Sequence, residues 1–332
     1  MMQAINLKKF PKLRFITSKT EIHKLSVLSK ALGVNLYFKR EDHNIFGFGG
    51  NKVRKLEYLL GDAQKHKATH ILTMGALQSN HAHMTALLAN MHGFETELFL
   101  KKTVAISSTV YAQNGNSLLN KIIQAKTHFF SQGENATEAL KQRVEAIKRA
   151  GGRPYVIPIG GSSALSTLGY LDAYIEIMEQ QKEGRTYFDH MALATASGGT
   201  QAGLELGKLI TGSAVKITGY QANPTQENLE HQTLSFVEEA LTLIKYKSQV
   251  PEKINLHKAF TGNRYGILEP YHIDCLRLLA KTEGIFLDPI YSSKAFSGLL
   301  MDIENGYYRK GENILFLHTG GAPSLFAYAD SF

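Results

Sequence analysis

The sequence predicts an α/β protein in two lobes, with parallel sheets flanked by helices. Two observations carry that expectation. From residue 50 onward, short apolar runs alternate with segments of helical period, and turn residues separate them. Repeated strand-to-helix order is what a parallel sheet requires, because each strand must be brought back to the same end by a crossover. At 332 residues the chain also exceeds one compact core, since single cores stop growing near roughly 250–300 residues.

Taken in order, Val53, Leu56, Leu59, Leu60 and Ala63 fall on one helical face, and His70 to Gly75 reads as a short buried strand ending in a turn. The pattern then predicts helix 81–91, strand 95–100, helix 115–124, strand 127–130, helix 135–150 and strand 154–158. After Gly160-Gly161 it predicts helix 166–181, strand 190–195, helix 201–210, strand 215–221, and helices 225–245, 270–283 and 294–304. A strand over 313–318 and a short helix near 323–328 close the chain, while 246–263 reads as irregular.

Hydrophobic residues at 43% and charged residues at 20% exclude a disordered or collagen-like chain. The net charge of +8 comes from scattered lysines and arginines, so no nucleic-acid platform is expected, and the charge is read as a solvated surface that favours anionic substrates. No run nears the roughly 18 apolar residues of a membrane span, and the first residues carry no apolar signal core, so a cytoplasmic protein without a membrane partner is expected. Cys275, the single cysteine, lies in an apolar-periodic run and reads as core.

Four loop motifs could carry chemistry. In Gly49-Gly50-Asn51-Lys52 a lysine opens a helix, where the dipole disfavours a cation, and the motif completes neither a Walker A nor a GxGxxG loop. In Gly75-Ala76-Leu77-Gln78-Ser79-Asn80-His81, good N-cap residues follow a strand and open a helix, whose free N–H groups suit a carboxylate or phosphate. Ala196-Ser197-Gly198-Gly199-Thr200 is a better anion cup, with small residues and hydroxyls between strand and helix. The fourth set is Asn263-Arg264-Tyr265-Gly266, Asp288-Pro289-Ile290-Tyr291-Ser292-Ser293-Lys294 and His318-Thr319-Gly320-Gly321. Taken singly, each also fits a plainer role: a surface lysine, a helix cap, a glycine turn, packing tyrosines. His81 and His83 form H-x-H without a third ligand, so no metal is expected.

In order along nearly the whole chain, KREDHNIFGFGGNKVRKLEYL, GALQSNH, GNSLL, YVIPIGGSSALSTLGY, ASGGTQAG, RYG, LDPIYSSKAFSGL and HTGGAP resemble the pyridoxal-phosphate enzymes of the D-cysteine desulfhydrase and 1-aminocyclopropane-1-carboxylate (ACC) deaminase family, of fold type II. The resemblance implies a discontinuous large cofactor-binding domain (1–50 and 160–332), a small inserted domain (51–159), and a homodimer. It implies that Lys52 holds pyridoxal 5'-phosphate as a Schiff base and then moves the substrate's Cα proton. Asn80 would bond the cofactor's ring hydroxyl, and Ala196, Ser197, Gly198, Gly199 and Thr200 its phosphate. Ser292 would stand as a neutral donor at the ring nitrogen. Gln78, Ser79 and His81 would hold the carboxylate of an amino-acid substrate, with Ser79, Tyr265 and Tyr291 catalytic.

Three positions favour the desulfhydrase side. Relatives acting on ACC carry Glu where this chain has Ser292, Gln where it has His81, and Cys where it has Gly161-Ser162. Two departures, His83 in place of Arg and Ser18 to His23 in place of Thr-Pro-Leu, bear on substrate identity. The expected reaction is α,β-elimination of D-cysteine to sulfide, pyruvate and ammonia. ACC deamination, L-cysteate desulfonation or racemisation on the same scaffold are the alternatives, and a non-catalytic pyridoxal-phosphate- or anion-binding protein is a reading from another class.

Overall fold

The computed structural model describes residues 6–332. In chain order its elements are β1 (Ile22–Lys24), α1 (Ser26–Leu32), β2 (Asn35–Arg40), α2 (Lys52–Lys65), β3 (His70–Ala76), α3 (Asn80–Asn90), β4 (Glu95–Lys101), α4 (Thr109–Gln113), α5 (Asn116–Ile122), β5 (Lys126–Phe130), α6 (Ala136–Arg149) and β6 (Pro154–Ile157). There follow α7 (Ala164–Gly184), β7 (His190–Thr195), α8 (Gly199–Thr211), β8 (Lys216–Gln221), α9 (Leu229–Ile244), β9 (Asn255–His257), α10 (Pro270–Glu283), α11 (Ser292–Glu304), β10 (Asn313–His318) and a terminal 3-10 stretch (Ala322–Ser331).

Two sheets form. One has the order β1-β2-β10-β7-β8-β9 and the other β5-β4-β3-β6. Among the described residues every pairing is parallel except β1 on β2, an antiparallel edge the alternation did not foretell. β7 is buried at all six positions, as a central parallel strand covered on both faces must be.

The helix carrying the suspect lysine lies between the two halves. Val53, Leu56 and Leu60 of α2 pack with Ile71, Met84 and Leu88 of the smaller sheet's core. On another face Tyr58 packs with Leu168, Leu171 and Ala202 from the helices of the larger sheet. Buried charge fixes the same helix. Arg54 pairs with Glu41 at 2.6 Å and Glu176 at 3.0 Å, and Lys39 pairs with Glu176 at 2.5 Å.

Several expectations are corrected. β1, α1 and β2 lie before residue 50, where the sequence pattern assigned no helix or strand; in β2 Lys39 and Arg40 interrupt the apolar pattern and are buried through ion pairs. The helix expected over 115–124 is present as α5, but the short α4 before it, set off by a break at Asn114-Gly115 where Gly115 has φ +59°, was not foreseen. α9 starts at Leu229 rather than 225, after the turn at Asn223-Pro224. The stretch 246–263 contains β9, a three-residue edge strand too short to carry a period. Cys275 is buried in the core. Among the described residues, no helix is long and apolar enough to cross a membrane.

Candidate active site

The carboxyl ends of both sheets open into one cavity of about 830 Å³, the edge at which open parallel sheets place ligands. Gly75 of β3, Lys101 of β4, Thr195 of β7 and Thr319 beyond β10 all line it. So do Lys52, Ser79, Asn80, His81, Ala196, Ser197, Gly198, Thr200, Tyr265 and Tyr291. Gln78, Gly199 and Ser292 do not.

Lys52 opens α2 at the cavity floor. The preceding loop is tied to the end of β10 by the Asn51 N–H, which donates to the Thr319 carbonyl at 3.0 Å. Asn51 also donates to Thr200 Oγ1 at 3.0 Å, joining the lysine's loop to the glycine loop. Lys52 lines the cavity, and burial of its amine pulls the pKa down to about 8 against the opposing charge of Asp288.

The cup lies between β7 and α8. α8 has 13 residues, and the N–H groups of Gly199, Thr200 and Gln201 find no acceptor within the chain, as the start of a helix requires. Gly198 turns the chain with φ +76°, and a Cβ there would come within 2.5 Å of Thr233 Oγ1. Behind the cup, Lys55 Nζ donates to Ser162 Oγ at 2.9 Å, and Ser162 donates to Ser197 Oγ at 2.8 Å. Burial, with Lys52 nearby, lowers the Lys55 pKa well below that of a free lysine. An anion in the cup reverses that penalty.

Ser79 caps α3, its Oγ accepting from the Ala82 N–H at 3.1 Å, and the N–H groups of Asn80 and His81 are left without an acceptor. Asn116 donates to Asn80 Oδ1 at 2.6 Å and fixes that amide. His81 is buried. Thr73 gives its only proton to the Ile157 carbonyl at 2.8 Å, so His81 Nε2 is the donor in its 2.8 Å bond to Thr73 Oγ1. Burial, then Lys52 and Lys55, hold the His81 pKa well below the usual histidine value. The ring is therefore neutral with its proton engaged, and what His81 offers an anion is its main-chain N–H.

Two expected contacts are corrected. The Gln78 amide donates to the carbonyls of Tyr111 (2.5 Å) and Asn114 (3.0 Å), while its oxygen accepts from the Asn116 N–H at 2.9 Å. A fully committed amide is a brace for α5, not a carboxylate clamp. Ser292 is buried and donates to Asp288 Oδ1 at 2.6 Å, because its place in the first turn of α11 folds it back on the preceding loop. The cavity instead meets Asp288, which stands in the fourth motif set but was given no role there. Its carboxylate also accepts from the N–H groups of Ile290, Tyr291 and Ser292, yet burial leaves its pKa raised.

Tyr265 and Tyr291 are brought together, hydroxyl to hydroxyl at 2.6 Å, and burial raises both pKa values. Other residues the sequence reading missed had visible signals. Lys55 lies three residues past Lys52 on the same helix, and Asn116 sits in the quoted GNSLL run.

This donor set fits pyridoxal phosphate. An amine near neutrality suits the aldehyde, three free N–H groups with hydroxyls suit the phosphate, and the cavity exceeds what a small cofactor alone fills.

Comparison with known proteins gives the same answer. A Pyrococcus furiosus protein named for 1-aminocyclopropane-1-carboxylate deaminase is 38% identical over 98% of this chain and 96% of its own. D-cysteine desulfhydrase of Yersinia enterocolitica is 36% identical over 97% of each. The crystal structure of an ACC deaminase homologue superposes with a TM-score of 0.88 at 37% identity, covering 98% of this chain and 96% of that one. Since the model for "Pyridoxal-phosphate dependent enzyme" also matches residues 13–320, the chain belongs to that family.

Proposed function

We propose that the chain is a carbon–sulfur lyase that converts D-cysteine and water to sulfide, pyruvate and ammonia, with Lys52 as the residue that holds the cofactor. One observation carries the reading: the amine of Lys52 faces the same cavity as an anion cup and a paired set of phenols. Pyridoxal phosphate, when bound, supplies the electron sink that lets the Cα proton of an amino acid leave.

The remaining chemistry falls to the chain. The free N–H groups at the start of α8, with the Ser197 and Thr200 hydroxyls that line the cavity, would hold the phosphate. Asn80, oriented by Asn116, would meet the cofactor's ring hydroxyl. The N–H groups of Asn80 and His81, with the Ser79 hydroxyl, receive the substrate carboxylate. Lys52, neutral above about pH 8, takes the Cα proton. The Tyr265–Tyr291 pair delivers a proton to the departing sulfur, which leaves as hydrogen sulfide rather than a bare anion.

The reading also includes a homodimer, a cytoplasmic location and a division into 1–50 with 160–332 and an inserted 51–159. Product analysis tests its centre. Protein loaded with cofactor is given D-cysteine, L-cysteine, L-cysteate and ACC. Sulfide with pyruvate from D-cysteine, lost in Lys52→Ala, supports it. Pyruvate from cysteate alone, or 2-oxobutanoate from ACC, keeps the cofactor and replaces the substrate.

A further inference from the structure

Lys294 has no place in the chemistry above, yet it is 1% exposed and among the largest fully buried side chains. Its ammonium donates to the carbonyls of Thr261 at 2.7 Å and Arg264 at 3.1 Å. No carboxylate forms an ion pair with it among the described residues, and burial draws its pKa down to about 8. Glu269 and Asp288 favour the charge from beyond ion-pair distance, but burial outweighs them, and a buried cation so weakly compensated is costly. A methionine would fill the same space without that cost, so packing alone does not account for a lysine here.

The two carbonyls belong to the loop before α10, which lines the cavity through Asn263, Arg264, Tyr265 and Ile267. Arg264 immediately precedes Tyr265. Lys294 lies three residues past Tyr291, in the first turn of α11. Two rungs therefore join the same pair of segments: the phenol–phenol bond of Tyr265 and Tyr291 at 2.6 Å, and the Lys294 bond to the Arg264 carbonyl. The loop's other ties run to different elements. Glu269 accepts from the Asn263 N–H, His272 meets the Phe260 carbonyl, and Tyr328 donates to the Gly266 carbonyl. Of these ties, only Lys294 links the loop to the helix that carries Tyr291.

The geometry points to Lys294 as a positioning residue that sets the Tyr265–Tyr291 hydroxyl separation by clamping the Thr261–Arg264 backbone to α11. It touches neither substrate nor cofactor and acts through Tyr265.

The test compares Lys294→Met, Lys294→Gln, Tyr265→Phe and the double variant Lys294→Met/Tyr265→Phe, all loaded with pyridoxal phosphate. Hydrogen exchange of the 261–267 segment, read without substrate, rises in both Lys294 variants while that of β3 and α8 stays at the wild-type level. Unchanged exchange overturns the clamp whether or not any amino acid is turned over, so this arm stands apart from the lyase reading, on which only the kinetic arm rests. With D-cysteine, Lys294→Met lowers kcat about 10–100-fold with little change in KM. In the Tyr265→Phe background the same substitution costs almost nothing more. Losses that multiply independently in the double variant overturn the proposal. Should Lys294→Met fail to fold, Lys294→Gln read by the same two measures decides.

Discussion

Tyr265 and Tyr291 hold their hydroxyl oxygens 2.6 Å apart at the cavity wall, so one phenol proton lies between them and only one remains to be given to a substrate. Burial makes losing either proton harder than in water. Both phenols thus stay protonated and neither starts as a base, while the bond between them stabilises the phenolate left when one gives its proton to a leaving group. Tyr265→Phe and Tyr291→Phe should each lower kcat for D-cysteine by ~10²-fold or more, with the visible absorbance of the lysine-bound cofactor retained. Wild-type kcat in both variants would remove the pair from the proton path.

Lys52 gives a pH signature in the protein before cofactor is added. Its folded pKa of about 8 lies below that of an unfolded lysine, so the neutral amine gains as pH rises. Cofactor uptake, followed by its visible band, should accelerate with pH and level off above about 8. The stability sign follows from the same shift. Keeping the amine charged in the fold is unfavourable below about pH 8, and that cost fades as pH climbs toward the unfolded value. Lys52→Met should therefore raise the Tm of cofactor-free protein at neutral pH, with the gain shrinking at alkaline pH.

Gln78→Ala is expected to act on stability. It leaves the Tyr111 and Asn114 carbonyls and the Asn116 N–H without partners, at a cost of roughly 2–4 kcal/mol. Urea unfolding measures that loss. A raised KM with unchanged stability would return Gln78 to the substrate.

Arg54→Met leaves Glu41 and part of the Glu176 charge uncompensated, and should cost about 3–5 kcal/mol in the same assay. Arg54 and Lys39 hold the Glu176 pKa below its usual value against burial. Its contribution is thus present above the ordinary glutamate range and disappears as acid protonates it. Acid unfolding of the wild type should be sharper than that of Arg54→Met.

Most of the fold was legible because β3, β4, β7 and β10 are apolar runs in a regular strand-helix order. Elements that need partners from elsewhere were not. β2 hides Lys39 by pairing it with a glutamate 137 positions away, and β9 is three residues at an edge. The same division holds at the site. Lys52, Asn80 and the glycine loop announce themselves by standing at strand-to-helix junctions. The corrections at Gln78 and Ser292 turn on which neighbour takes each hydrogen bond. That neighbour is supplied by α4 and α5 for the first and by Asp288 for the second, and local pattern carries neither.

β10 lies in the middle of the larger sheet, between β2 and β7, although it is the last strand in order among the described residues. Beyond it Gly320 packs against Gly50 so tightly that a Cβ would lie 2.5 Å from the Gly50 Cα. Without β10, β2 and β7 have no strand to join them and the Asn51 N–H loses the Thr319 carbonyl on which the lysine's loop leans. A variant cut before β10 should therefore hold the Asn51 loop poorly, and weak or absent cofactor uptake by it would show that the seat of Lys52 depends on a strand more than 260 positions away.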